Sequence, residues 1–325
     1  MNESASLTPT ETVPLNRGYF VAMAAAAVLS TTAIFIRYLT QTYHLPALVL
    51  AVWRAGFVVL TLLPVLAFTK PELLRAGKRQ RLFLIGYGLT LALFNTTWTL
   101  SVSLNGAAVA TVLAYVSTAF TVLLGRIWLK EALTWPKVMA VVLSLSGCAL
   151  ISGALHPEAW NTNLMGILTG LLSGLGYAVY SLMGRAASQR GLNPWTSLFH
   201  TFSFATLFLL LFNLFPAGIV PGTAARPADF VWLGDAWFGW LMLFLLAAGP
   251  TVAGFGLYNV SLSLIPSSVA NLIVTMEPIF TTLVAYFLLG ERLTATQIFG
   301  GMLILSGVVI LTLGNRNSAV STMRK

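Results

Sequence analysis

Residues Asn105 to Ser152 and Ile265 to Thr312 carry one pattern twice, 160 positions apart and without a gap. Val109 and Ala110 fall on Val269 and Ala270, Phe120 and Thr121 on Phe280 and Thr281, and Glu131 on Glu291. Leu133-Thr134 falls on Leu293-Thr294, and Ser146-Gly147 on Ser306-Gly307. Each copy is an apolar run, a charged break that holds the Glu, and a second apolar run. Self-similarity at a fixed offset means that one unit is used twice. The rest of the chain has copies as well. Gly18, Arg37 and Pro46 match Gly166, Arg185 and Pro194 at an offset of 148, and Ser101, Ser103 and Leu104 match Ser261, Ser263 and Leu264 at 160. The 12-residue jump falls between the seventh and eighth apolar segments, where Pro216 to Ala236 is rich in Pro and Gly.

Composition says what solvent surrounds the two copies. Of 325 residues, 57% are hydrophobic and only 8% charged, with a mean hydropathy of +0.85. Soluble domains carry about 25% charged residues, so this chain has too little charge to cover a water-facing surface. Its net charge of +9 therefore reads as basic loops beside a membrane rather than a nucleic-acid footprint; the expected partners are a lipid bilayer and a small molecule, with no nucleic acid. The single cysteine, Cys148, excludes an intrachain disulfide framework. Tyr19 to Leu39 is longer than a signal-peptide core and reads as a retained helix.

A hydrocarbon core of ~30 Å needs about 20 apolar residues as helix. Ten segments qualify, near 19–40, 46–69, 81–103, 105–129, 134–155, 163–187, 194–215, 236–262, 265–289 and 294–314. None alternates polar with apolar as a barrel strand does. The breaks carry turn chemistry, as in His44-Leu45-Pro46, Trp135-Pro136, His156-Pro157 and Ile265-Pro266. The expected organisation is a polar cytoplasmic segment (1–18), a first five-helix repeat (19–155), a second (163–314) with an enlarged outer loop at 216–235, and a cytoplasmic tail (315–325). Five is odd, so two copies in series enter the bilayer in opposite orientations, the plan of many secondary transporters. The expected fold is thus all-α integral membrane: ten transmembrane helices as two inverted five-helix repeats around a central cavity. With the N-terminus inside, the cytoplasmic side holds Arg17, Lys70, Arg75, Lys78, Arg79, Arg81, Arg126, Lys130, Lys137, Arg185, Arg190, Arg316, Arg324 and Lys325, 14 of the 18 basic residues. The positive-inside rule then places both termini in the cytoplasm.

No HExxH, Walker A, GxSxG or metal-spaced His/Cys set occurs, so the chain is not expected to be an enzyme, and neither cofactor nor metal is expected. Polar groups within the spans are the remaining candidates, because each needs a partner or water there. Asn95, Trp98 and Thr99 share a helix face, and Tyr258 and Asn259 are the twins of Trp98 and Thr99. Thr111, Tyr115 and Thr118 share another face, answered by Asn271, Thr275 and Pro278; Ser173, Tyr177, Tyr180 and Ser181 share a third. His200 lies within a span and reads equally as a packing residue. The expected substrate-binding set is Asn95, Trp98, Thr99, Thr111, Tyr115, Tyr177, Tyr180, His200, Tyr258, Asn259, Asn271 and Thr275. Rings and neutral hydrogen-bonders suit a partly apolar solute; the bland alternative is that they only join helices. Glu277 and Arg54 are the charges deepest in spans. They read as a pair that compensate each other, directly or through water, with proton coupling or substrate contact by Glu277 as the functional alternative. Gly166, Gly170 and Gly174 recur at a spacing that lets backbones approach.

VAN…MEPIFTTLVAYFLLGERLT followed by LILSGVVIL, with the looser KEALT and Ser117-Thr118 of the first copy, resembles the EamA unit of the drug/metabolite transporter superfamily over nearly the whole chain. The resemblance implies ten helices, both termini inside, a cavity built by both halves and alternating access for small metabolites. Bacterial exporters of aromatic and other hydrophobic amino acids look similar. The resulting expectation is an inner-membrane exporter of such amino acids. The alternatives are an exporter of another small solute (drug, nucleoside or sugar) or an integral-membrane lipid-modifying enzyme. The oligomeric state stays open, and a monomer suffices.

Overall fold

The computed structural model describes residues 15–154, 164–215, 220, 222–224, 226–289 and 294–323. His156, Glu291 and most of the polar N-terminal segment lie outside the described residues, as do Pro216, Gly218 and Pro221 of the enlarged loop. The described chain is all helical, without strands: α1 (Leu15–Ser30), α2 (Thr32–Thr42), α3 (Ala47–Thr69), α4 (Lys78–Tyr115), α5 (Ser117–Trp128), α6 (Trp135–Ile151), α7 (Leu164–Gln189), α8 (Pro194–Phe212), α9 (Trp237–Leu246), α10 (Val252–Leu264), α11 (Ser267–Val274), α12 (Glu277–Leu289) and α13 (Ala295–Met323). Among the described residues nine helical segments are long and apolar enough to cross a membrane. The expected fifth span, α6, has 17 residues, about 25 Å at 1.5 Å per residue. Large apolar side chains such as Phe20, Phe68 and Phe287 face outward, as a lipid solvent permits.

The expected spans are interrupted where side chains compete for backbone groups. The first breaks at Thr31: Ser30 Oγ donates to Ala27 O (2.6 Å) and Thr31 Oγ1 to Val28 O (2.8 Å), so two successive hydroxyls compete for carbonyls of the preceding turn. The ninth breaks at Thr275-Met276, with Thr275 Oγ1 on Leu272 O (2.6 Å) and Pro278 unable to donate. The fourth breaks at Val116, the position 160 residues earlier, without a proline. The eighth holds a π turn at Ala247–Thr251: Pro250 offers the Leu246 carbonyl no N–H, and Thr251 Oγ1 donates to it at 2.7 Å.

The break expected near residue 104 is not a gap in helix. α4 runs through it but folds back sharply. A straight helix separates residues 101 and 113 by ~18 Å, yet a Cβ on Gly170 would lie 2.7 Å from Ser101 Oγ and 2.6 Å from Leu113 Cδ1. Both arms of α4 therefore pack on α7. The last helix continues to Met323, past the expected end at 314.

Twin helices meet antiparallel. A Cβ on Gly147 of α6 would lie 2.4 Å from the Gly300 carbonyl of α13, and one on Gly300 would lie 2.7 Å from the Gly147 carbonyl. With the halves exchanged, Gly307 meets Ala140, while Gly314 meets Pro136. Contacts therefore climb one helix as they descend the other. The same holds for α3 and α8, where Gly56 approaches Thr206 and Asn213 Nδ2 donates to Leu48 O at 3.4 Å. α1 packs on α10 as its twin α7 packs on α4. The enlarged loop is tied down by indole donors, Trp53 Nε1 to Phe230 O (2.6 Å) and Trp232 Nε1 to Tyr43 O (2.8 Å).

Candidate functional site

A cavity of about 540 Å³ lies between the halves, lined by α1–α4, α6, α7, α10 and α12. At one end it reaches exposed Arg37 and the last residues of the fifth span, Ile151 and Ser152. The helix interruptions position its polar groups. The break at Thr31 turns Thr32 and Ile36 into it; the interruption before α5 delivers Tyr115; the interruption before α12 delivers Glu277 and Pro278 as the first residues of a new helix. Unwinding at mid-span is tolerated in a membrane only where backbone is buried in protein or lines a wet space; Thr275 and Met276 are buried in protein, and the residues that follow them line the cavity.

Of the expected residues, Asn95, Trp98, Thr111, Tyr115, Tyr177, Arg54 and Glu277 line this cavity together. Thr99 lines a small adjoining recess with Asn95, Trp98 and Arg54. The direct Arg54–Glu277 ion pair is not formed. Arg54 Nη2 donates to Asn95 Oδ1 at 2.6 Å, and Asn95 Nδ2 holds Leu91 O at 2.8 Å. Glu277 instead shares the cavity wall with Tyr115.

Tyr180, Tyr258, Asn259, Asn271 and Thr275 do not line the cavity; they form a buried layer beneath it. Tyr258 Oη and Ser181 Oγ are 2.7 Å apart, Asn271 Nδ2 donates to Ser181 Oγ (3.1 Å), and Ser117 Oγ donates to Asn271 Oδ1 (3.3 Å). Tyr87 and Tyr180 hydroxyls both donate to Asn259 Oδ1, at 3.3 and 3.4 Å. Every one of these side chains is buried. The layer joins α4, α5, α7, α10 and α11, so it closes the cavity at that depth. A column of rings crosses it: Phe94 stacks on Tyr177 (5.1 Å, 16°), Tyr177 on Tyr180 (6.4 Å), and Tyr180 meets Tyr87 (4.8 Å). Below Tyr87 comes Phe83, with the Arg190 guanidinium 4.3 Å from its ring centre. His200 is elsewhere, on α8 between Phe199 and Phe204, and the site does not include it.

Sequence reasoning missed the latch at the closed end. The Glu131 carboxylate, in the break after α5, accepts from Ser267 N (2.7 Å), Ser267 Oγ (2.6 Å), Ser268 N (3.2 Å) and Ser268 Oγ. Lys137 Nζ adds bonds to Ala132 O (2.7 Å) and Ser268 Oγ (3.0 Å). One half thus caps the first helix turn of the other, where the helix dipole favours an anion. The signal was present in the repeated Glu of the charged break; its partner lay 136 positions away. Phe94, Phe255 and Cys148 also line the cavity, and within apolar runs nothing marked which face they took.

The chain matches the EamA-like transporter family twice, over residues 16–153 and 164–313. It is 28% identical over 226 residues to an uncharacterized transporter of Archaeoglobus fulgidus, covering 68% of this chain and 74% of that one. It is 27% identical over 260 residues to the threonine/homoserine exporter RhtA of Salmonella typhimurium, covering 77% and 76%. One solved crystal structure superposes with a TM-score of 0.73 over 93% of this chain and 98% of the other, at 18% identity, a likeness of fold.

Proposed function

Because the chain belongs to the EamA-like transporter family, we propose that it exports aromatic or other hydrophobic amino acids across the inner membrane by alternating access. In this reading two inverted five-helix repeats enclose the cavity, both termini are cytoplasmic, and the state described here is open outward. The observation that carries the reading is the cavity. Its volume falls within the roughly 300–1,000 Å³ of small-molecule sites, and its lining is mostly apolar and aromatic with a few convergent polar groups. Support for inversion comes from the antiparallel twins α6 and α13. Support for orientation comes from Arg190 and the Lys78–Arg81 stretch, which lie at the end that the tyrosine layer and the Glu131 cap close. That RhtA carries an exporter's name for two amino acids supports the substrate class; the rings here favour a more apolar side chain.

The test is uptake of a panel of labelled amino acids into proteoliposomes, with and without a pH gradient. Phenylalanine and leucine should be carried well above protein-free liposomes. Flux of none of the panel removes the amino-acid claim.

A further inference from the structure

Two deep charges face the cavity without neutralising each other. Among the described residues Asn95 is the hydrogen-bond partner of the Arg54 guanidinium, which carries five donors. The Glu277 carboxyl shares the cavity wall with Tyr115 and is open to donors from the cavity side. An isolated charge at this depth is costly, and such residues pair or mark a substrate path. Here a cation sits on the α3–α4 wall and an acid on the α12 wall, with a space lined by rings between them. A ligand that carries both charges compensates both walls at once. A neutral solute leaves both uncompensated, and a singly charged one leaves one.

We infer that Arg54 and Glu277 are the specificity-determining pair for a zwitterionic head group: the ligand's carboxylate on the Arg54 guanidinium, its ammonium on the Glu277 carboxyl and Tyr115 hydroxyl. The ligand's side chain then lies against Phe94, Trp98, Tyr177 and Phe255, where ring faces favour both apolar groups and the edge of an ammonium. Asn95 is a positioning residue. Its amide is anchored on Leu91 O, so its carbonyl holds the guanidinium at a fixed place. The assignment rests on the amino-acid reading given above and adds which groups of the amino acid are read.

Competition against labelled phenylalanine on the purified full chain tests it, with phenethylamine, which lacks the carboxylate, and 3-phenylpropionate, which lacks the ammonium. Each analogue leaves one wall charge unpaired and should bind at least about tenfold more weakly than phenylalanine. Glu277→Gln should abolish the preference for phenylalanine over 3-phenylpropionate and keep that over phenethylamine; Arg54→Gln should do the reverse. The wild-type series decides alone if either variant fails to fold. Analogues that compete as well as phenylalanine, while amino acids still flux, overturn the head-group assignment and leave the transport reading standing. No phenylalanine binding together with no amino-acid flux overturns the transport reading itself.

Discussion

At the scale of single residues, the molecule is held by places where only a hydrogen fits. Gly147 and Gly300 each stand against the other's carbonyl, so α6 and α13 meet backbone to backbone. Association in lipid relies on such close packing because apolar surface gains nothing by leaving a lipid solvent. Gly147→Val forces that contact apart and should lower stability by about 1–3 kcal/mol, read as thermal unfolding in detergent. Gly301→Ala, whose new methyl would meet nothing nearer than 3.9 Å, is the control and should leave the transition in place. Equal transitions for both would contradict the packing account. Glycine spacing was legible in the sequence for Gly166, Gly170 and Gly174, but which glycine meets which carbonyl depends on helix rotation, and spacing does not encode that.

At the scale of elements, the interruptions carry the function. The twin breaks at Val116 and at Thr275-Met276 occupy the same position of the repeat. Both lie within spans that read as continuous, 105–129 and 265–289; Pro278 follows the second break, and the first has no proline. The break at Thr31 was legible only as three hydroxyls in a row, which elsewhere point to solvent without consequence. Polar cavity residues were nonetheless recognisable, because a polar side chain at mid-span has few other reasons to be there: Asn95, Thr111, Tyr115 and Glu277 all line it. The same argument misplaced Tyr180, Tyr258 and Asn271, whose partners are one another's helices. Periodicity gives a face, and depth along the bundle axis decides whether that face meets space or protein. The Glu131 cap is an element-level contact with a measurable worth. Glu131→Ala leaves the first N–H groups of α11 without their acceptor, and should cost about 0.5–2 kcal/mol in thermal unfolding. Unchanged stability would mean the cap contributes nothing to closure of that end. Ser267→Ala removes one of its donors and should cost less than Glu131→Ala in the same assay.

At the scale of the whole molecule, the account is of two copies that face opposite ways around a shared space. The proposed inversion rests on an odd count of expected spans and on the distribution of basic residues, which depend only on chain order. The conformational state was not readable, because the same contacts with the halves exchanged describe the opposite state. Exchange maps the Gly147–Gly300 contact onto Gly307–Ala140, and both exist at once, so under the proposed alternating access this seam would be common to both states. The tyrosine layer and the Glu131 cap are the parts expected to open. The most direct measurement is two-sided labelling of Thr111→Cys, a mid-cavity lining position, in a Cys148→Ala background with a membrane-impermeant thiol reagent. Vesicles of either orientation present one face at a time. The account predicts modification from both faces, slowed on each by bound substrate. Modification from one face only, whatever the substrate or time, would contradict it.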